Sequence, residues 1–224
     1  MKIGYIGNFE PAHSTENHIA STLVSMGHDV MQFQEVGPKA WAADEVRANL
    51  ESLELLMWTR TPPGLKGNTH AMIAIARGLG IITVAYHLDL YAGLNRAADV
   101  GRDAWWTCDY VLTADGGSED FWEAHGINHH WFPPAVYGAE AYLATQIFDA
   151  RFERVYMHDV VFTGQRNYHP EWPYRPMLVD WLEKEYGSRF QRFPIHGQPA
   201  IRDHALNVLY ASTKVVVGDS LVLG

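Results

Sequence analysis

The feature that most constrains the fold of this chain is a regular alternation of short apolar runs with helical patterns. The first run, KIGYIG (2–7), ends in glycine and is typical of a buried parallel strand. A helix is predicted to begin after Ser14 or Thr15, either of which can cap it, and to stop at Gly27. HDVMQFQ (28–34) is then predicted to be the second strand, which completes a strand–loop–helix–strand unit.

The alternation continues as far as residue 140. Further strands are predicted at ELLMWTR (54–60) and IITVAYHLD (81–89), within CDYVLTADGG (108–117) before a loop, and within NHHWFPPAVY (128–137) before a Pro-Pro turn. Helices are predicted at DEVRANLESL (44–53), NTHAMIAIARGLG (68–80) and SEDFWEAHG (118–126). Strands that alternate with helices imply a parallel, doubly wound sheet with flanking helices. The sequence therefore predicts an α/β, Rossmann-like domain over residues 1–140.

A second, smaller series follows a segment without a clear period. Residues 141–158 are predicted to be a linker or crossover, and residues 159–224 a second domain. Its strand and helix patterns alternate in the order DVVFTGQRN, WPYRPMLVDWLEKEYG, RFQRFPI, IRDHALNVLYAST and KVVVGDS. This β-α-β-α-β series is half of a Rossmann-like unit, so the second domain is expected to be partial. Truncation or a split gene would explain this, and in the second case another chain would supply the rest.

Composition limits the classes of partner. The chain is 47% hydrophobic with 8 Trp, 11 Tyr and 9 Phe, so it can bury a large core. A net charge of −9 and a pI of about 5.7 disfavour duplex nucleic acid and anionic membranes, apart from a local basic groove. No apolar run approaches the ~20 residues of a membrane span. A single cysteine, Cys108, precludes an intrachain disulfide and favours the cytoplasm.

The sequence lacks several common cofactor motifs. No G-x-G-x-x-G follows the first strand, which argues against a dinucleotide-binding protein. The 12 histidines form neither H-E-x-x-H nor a Cys/His zinc pattern, and His13 and His18 are five residues apart rather than four. Neither a metal site nor a tightly bound cofactor is therefore expected.

Candidate site residues follow from a rule of open parallel sheets, in which ligands bind beyond the carboxyl ends of the strands. In this sequence the candidate loops are 8–16, 60–64, 87–93 and 115–119, and in the second domain 164–169. Ser14 and Thr15 offer hydroxyl groups and free backbone N–H groups at a helix start, which suits a diphosphate. The alternative for both residues is a plain helix cap.

Six segments in this order resemble the GT-B fold glycosyltransferases and are similar in layout to glycosyltransferase family 4. They are STENHIASTLVSMGHDV, TVAYHLD, CDYVLTADGGSEDFWEAHGI, WFPPAVY, VVFTGQRN and LNVLYASTKVVVGDS, and they extend over nearly all of the 224 residues. The first loop has Ser-Thr where the family commonly has Gly-Gly. The family's donor-binding glutamates would lie beyond Gly224, in agreement with a partial second domain.

The resemblance implies transfer of a sugar from a UDP- or GDP-sugar to an unknown hydroxyl acceptor. It places His87 beside the donor sugar or the reacting centre, and Asp89 as a general base in an inverting enzyme or as a stabiliser of positive charge. Arg166 and Arg60 would hold the donor diphosphate. The alternatives are a structural His–Asp pair and surface arginines. The absence of a D-x-D motif agrees with a metal-independent reaction.

In the first loop, Asn8 is also predicted to bind the donor, together with Ser14 and Thr15. Four tryptophans could line an acceptor groove but are more often core residues: Trp105, Trp106, Trp122 and Trp131. Two other functions stay open, namely a non-catalytic subunit that binds a sugar nucleotide or glycan, and a transferase whose acceptor is a modified DNA base.

Overall fold

The computed structural model describes residues 1–62, 64–141, 156–167, 174–195 and 197–218. The chain forms two compact units, Met1–Ala135 (unit 1) and Val136–Gly224 (unit 2). Most of the predicted linker, 142–155, lies outside the described residues, so the predicted domain limits stay predictions. Both units contain parallel strands connected by helices, and this confirms the predicted α/β, Rossmann-like class.

The described part of unit 1 contains six strands and four α-helices. In chain order they are β1 (Lys2–Gly7), α1 (Thr15–Ser25), β2 (Asp29–Gln34), α2 (Ala43–Arg47), β3 (Leu55–Thr59), α3 (Thr69–Gly78), β4 (Ile82–Tyr86), β5 (Tyr110–Thr113), α4 (Glu119–Ala124) and β6 (His129–Trp131). All six strands are parallel, in the order β2-β1-β3-β4-β5-β6. The order reverses between β1 and β3, which is where open α/β sheets have their ligand-binding crevice.

The ends of the helices follow local sequence signals. Ser14 caps α1 as predicted, because its Oγ accepts a hydrogen bond from the N–H of Asn17 at 3.1 Å. The helix predicted over 44–53 is shorter in the structure, where α2 ends at Arg47 and a 3₁₀ turn follows. The cause is Asn49, whose side chain donates to the carbonyl of Glu45 at 2.9 Å and ends the helix.

The core of unit 1 is unusually rich in tryptophan. Trp105 is fully buried, and its Nε1 donates to the carbonyl of Trp58 at 2.9 Å. Its ring packs edge-to-face on that of Trp106, with the ring centres 4.4 Å apart. Trp122 is also buried, beside Trp106. These residues are core residues rather than the lining of a groove, whereas Trp131 at the end of β6 is 61% exposed.

Unit 2 contains a smaller parallel sheet. Its described elements are β7 (His158–Thr163), α5 (Tyr174–Tyr186), β8 (Phe190–Phe193), α6 (Asp203–Ala211) and β9 (Thr213–Val217). The strand order is β8-β7-β9, so β7 lies in the centre. These elements match the predicted strand and helix patterns of residues 159–224.

Alternate residues of β7 pack against different helices. Val160 and Phe162 form one buried cluster with Val179 of α5, whereas Val161 forms another with Leu209 of α6. Successive strand side chains point to opposite faces, so the two helices cover opposite faces of this sheet. None of the helices in the described residues has the length and apolar character needed to cross a bilayer.

Candidate functional site

The buried polar side chains of unit 1 concentrate at the carboxyl edge of its sheet. Thr83 is the one described exception, near the start of β4. The others follow or end strands, or lie in the first turn of the helix after β1: Glu16, Glu35, Thr59, Thr113 and Asp115. Carboxylates are rarely buried unless they are paired, so three of them at one edge indicate a built site. This edge is also where the strand-end rule predicts ligand binding.

His87 directly follows β4 and is oriented by the backbone. Its own N–H donates to the carbonyl of Leu112 at 2.9 Å, and its Nδ1 accepts from the N–H of Asp89 at 3.2 Å. The imidazole proton therefore lies on Nε2. Burial lowers the pKa of His87, with a smaller contribution from Arg96 and Arg60, although Asp89 acts in the opposite direction. At neutral pH His87 is an uncharged hydrogen-bond donor.

Asp89 lies beside His87 and also forms an ion pair with Arg96. Its Oδ2 is 3.7 Å from Nδ1 of His87 and 2.6 Å from Nη1 of Arg96. The guanidinium of Arg96 also lies 5.9 Å from the centre of the Tyr91 ring. Asp89 therefore belongs to an ion pair at the site, which limits its strength as a general base.

Arg60 lies near both Glu35 and His87. It follows β3, and its Nη2 is 2.7 Å from Oδ2 of Asp103. Its charge acts to lower the pKa of both Glu35 and His87. The structure thus brings Arg60 and His87 to the same edge of the sheet, as the sequence predicted for their loops.

The first loop is occupied by its own side chains. Ser14 uses Oγ as a helix cap, and Oδ1 of Asn8 accepts from Nε2 of Gln34 at 2.9 Å. Oε1 of Glu16 lies 3.4 Å from the N–H of Asn8, and a Cβ at Gly7 would be 2.7 Å from Cγ of Glu16. The carboxylate of Glu16 therefore lies against a backbone donor of this loop. The geometry favours the capping role of Ser14, and anion binding by Thr15 and Asn8 stays a prediction.

Glu35 is a site residue that the sequence analysis did not identify. It follows β2, is 1% exposed, and accepts hydrogen bonds from Nε1 of Trp58 at 2.7 Å and from the N–H of Thr61. Burial raises its pKa to about 7, although both hydrogen bonds and Arg60 act in the opposite direction. The strand-end rule would have found Glu35 if it had been applied to β2.

Asp115 is the second residue that was not singled out, although it begins a predicted loop. Its carboxylate accepts from the N–H groups of Tyr91 at 2.9 Å and Ala92 at 3.1 Å, and from the hydroxyl of Thr113 at 2.9 Å. Oγ1 of Thr113 also lies 2.8 Å from Nε2 of His129. Asp115 therefore ties the loop after β4, which carries His87, to the end of β5.

In unit 2, the predicted donor residue Arg166 follows β7. Its guanidinium makes a bidentate ion pair with Asp180 of α5, through Nε at 3.0 Å and Nη2 at 2.7 and 2.6 Å. This pairing supports the hypothesis of a structural surface arginine. Diphosphate binding by Arg166 stays a prediction.

The carboxyl edge of the sheet in unit 2 borders a cavity of about 380 Å³. Thr163 and Phe193, at the ends of β7 and β8, form part of its lining, together with Arg175 and Arg202. Oγ1 of Thr163 is 2.6 Å from the hydroxyl of Tyr210, which also lines the cavity. The cavity therefore combines cationic, aromatic and hydroxyl groups.

Comparison with the sequence models of known protein families finds no match, and no curated protein matches the sequence significantly. The likeness to GT-B glycosyltransferases is thus a resemblance in the order of sequence segments. Within the described residues, no three His, Cys, Asp or Glu side chains are grouped so that they could hold a metal ion.

Proposed function

We propose that the protein is a cytoplasmic glycosyltransferase that moves a sugar from a UDP- or GDP-sugar to a hydroxyl group without a metal ion. The observation that carries this proposal is the cavity at the carboxyl edge of unit 2, the unit whose sequence resembles a donor-binding domain. Its volume of about 380 Å³ falls in the range of small-molecule sites.

The lining of this cavity fits a nucleoside diphosphate. Arg175 and Arg202 provide guanidinium groups, which match phosphate oxygens in charge and geometry. Ile201 and Leu206 provide apolar surface, and the ring of Tyr210 suits a nucleobase. The diphosphate and the nucleobase of the leaving nucleotide therefore both have suitable partners in the lining of this cavity.

The distribution of charge supports the same division of roles. Residues 1–135 contain 16 Asp and Glu against 8 Lys and Arg, whereas residues 136–224 contain 10 against 9. An anionic diphosphate is less strongly repelled by unit 2 than by unit 1. The acidic edge of unit 1 better suits an uncharged hydroxyl acceptor.

Unit 1 would then supply the groups that act during transfer. The acceptor oxygen bonds to the anomeric carbon as the bond to the diphosphate breaks, and the bonding electrons leave with the diphosphate. His87, with its proton on Nε2, can donate to an oxygen that gains negative charge. Asp89 can take the acceptor proton once its carboxylate is released from Arg96.

A screen of UDP-, GDP- and ADP-sugars by thermal shift, followed by assays of hydrolysis and transfer, tests this function. At least one donor is expected to raise Tm, because a ligand at 100 times its Kd stabilises the folded state by about 2.7 kcal/mol. R202Q is expected to reduce the shift. R189Q, an exposed arginine at the opposite end of β8, is the matched control. Absence of both stabilisation and turnover with every donor would contradict the proposal.

His87→Ala is expected to lower the rate of sugar transfer by about 100-fold, the scale observed when an oxyanion donor is removed. Far-UV circular dichroism should show an intact fold. His125→Ala is the control, since His125 is exposed and its imidazole contacts only Phe121, through the carbonyl and the ring, among the described residues. Transfer at the wild-type rate by His87→Ala would remove His87 from the mechanism.

A second candidate function is a subunit that binds a sugar nucleotide without turning it over. The observation in its favour is the 2.6 Å ion pair between Asp89 and Arg96, which occupies the nearest candidate base. Tight binding of a sugar nucleotide with neither hydrolysis nor transfer would favour this function over catalysis.

A further inference from the structure

We propose that Arg192, rather than Arg166, binds the phosphoryl groups of the donor, in a second cavity at the carboxyl edge of unit 2. This inference rests on the proposed function and assigns the residue that recognises the diphosphate. The ligand chemistry is a phosphoryl anion, which a nucleoside diphosphate and free pyrophosphate share.

The second cavity has a volume of about 340 Å³ and adjoins the first. Gly164, Gln165 and Pro194 line both cavities, which therefore share part of their wall at the carboxyl edge. Arg192 and Gln198 line the second cavity only. A nucleotide whose first phosphate lies at Arg175 and Arg202 would thus direct its second phosphate towards Arg192.

Arg166 also lines the second cavity, but its guanidinium is already engaged. Its Nε and Nη2 donate to both carboxylate oxygens of Asp180 at 2.6 to 3.0 Å. A phosphate would have to compete with this bidentate carboxylate, which offers the same planar geometry. The ion pair also cancels most of the attraction of Arg166 for an anion.

Arg192 differs from Arg166 in having a buried donor that remains unsatisfied. Among the described residues, its Nε has no hydrogen-bond partner and is closed off from solvent. A buried donor without an acceptor destabilises a protein, more so when the group is charged. Arg192 lies opposite Phe162 in the parallel register, so its backbone is fixed in the sheet. The rest of the guanidinium lines the cavity, and among the described residues no carboxylate pairs with it, so an anion in the cavity would meet an uncompensated positive charge.

The surrounding side chains favour a phosphoryl group over a single carboxylate. Gln165, Asn167 and Gln198 line the same cavity and carry amide N–H donors. A tetrahedral group with several oxygens can accept from donors that converge from different sides. A guanidinium matches the oxygens of a phosphate in charge and planar geometry.

The test is calorimetric titration of the whole chain with pyrophosphate, UDP and GDP. Arg192→Gln is expected to weaken binding by about 10- to 100-fold, the range for loss of a charge-assisted hydrogen bond. Arg192→Lys should give an intermediate loss, because it keeps the charge and removes the planar fork. The matched control is R189Q, which changes the net charge by the same amount at an exposed arginine at the opposite end of β8 and should bind within about 3-fold of wild type. The double variant R166Q/D180N removes the neighbouring ion pair without a change in net charge and should lose less affinity than Arg192→Gln.

The outcomes separate this inference from the proposed function. A larger loss in R166Q/D180N than in Arg192→Gln, or nucleotide binding that is insensitive to Arg192, overturns the inference and leaves the transferase proposal standing. Binding of pyrophosphate that depends on Arg192, without binding of UDP or GDP, supports the inference and contradicts a UDP or GDP donor. Failure of wild type to bind any of the three ligands overturns both. Circular dichroism of each variant confirms that the fold is retained.

Discussion

Replacing Asp115 with alanine is expected to lower the free energy of unfolding of unit 1 by about 4 kcal/mol. The carboxylate is 4% exposed and accepts hydrogen bonds from the N–H groups of Tyr91 and Ala92 and the hydroxyl of Thr113. Alanine leaves these donors without their acceptor, and each unsatisfied buried donor costs about 1–3 kcal/mol. The loop that follows His87 would also lose its attachment to β5.

Urea unfolding followed by tryptophan fluorescence measures this effect. Asp115→Asn should lose about half as much, because its amide oxygen still accepts from the backbone whereas its amide nitrogen does not. The control is Asp99→Ala, which removes a carboxylate that is 61% exposed and paired with Arg102, and should change stability by less than about 0.5 kcal/mol. A value for Asp115→Ala within about 1 kcal/mol of wild type, the scale of an average mutation, would contradict the anchoring role.

The second large effect is a fall in the stability of unit 1 as pH rises, caused by Glu35. Burial raises its pKa from an ordinary value of 4.5 to about 7, so between these values the folded state holds a proton that the unfolded state releases. The unfolded state then binds fewer protons, and the free energy of unfolding decreases with pH. The stabilising contribution is complete below pH 4.5 and is lost as pH rises through about 7. Its size is about 3 kcal/mol.

Comparison of wild type with Glu35→Gln isolates this contribution, because all other groups titrate in both proteins. The difference between their free energies of unfolding should change by about 3 kcal/mol between pH 4.5 and pH 7.5 and be flat above that range. Glu54→Gln is the control, since Glu54 lies at the opposite, amino-terminal edge of the sheet, where it accepts from the N–H of Lys2 at 2.7 Å. A pH-independent difference for Glu35→Gln would show that Glu35 titrates normally.

The strands and helices of both units could be predicted because their signals are local. Apolar runs of the right length, Ser14 before a helix and Gly27 after it are read within a few residues. The one marked difference, the shortened α2, also has a local cause in the side chain of Asn49. The sequence further placed His87 and Arg60 at strand ends, and both lie at the carboxyl edge of unit 1.

The state of each candidate side chain could not be predicted, because it depends on partners that are distant in sequence. Asp103 pairs with Arg60, and Asp180 with Arg166, through contacts between different elements. Glu35 would be expected at the surface, because acidic residues are seldom fully buried. Its burial against Trp58 arises only when β2, β1 and β3 assemble.

The sequence by itself therefore determined the alternation of strands and helices, the parallel sheets and the sheet edge at which His87 and Arg60 lie. These depend on periodicity and on the geometry of strand connections, which are properties of short segments. Only the tertiary structure decided which charges at that edge are neutralised and which donors remain unsatisfied. Burial and ion pairing depend on side chains brought together from several elements. Arg166 and Asp89, which the sequence predicted as site residues, are held in ion pairs, whereas Glu35 and Asp115, which it did not single out, are buried.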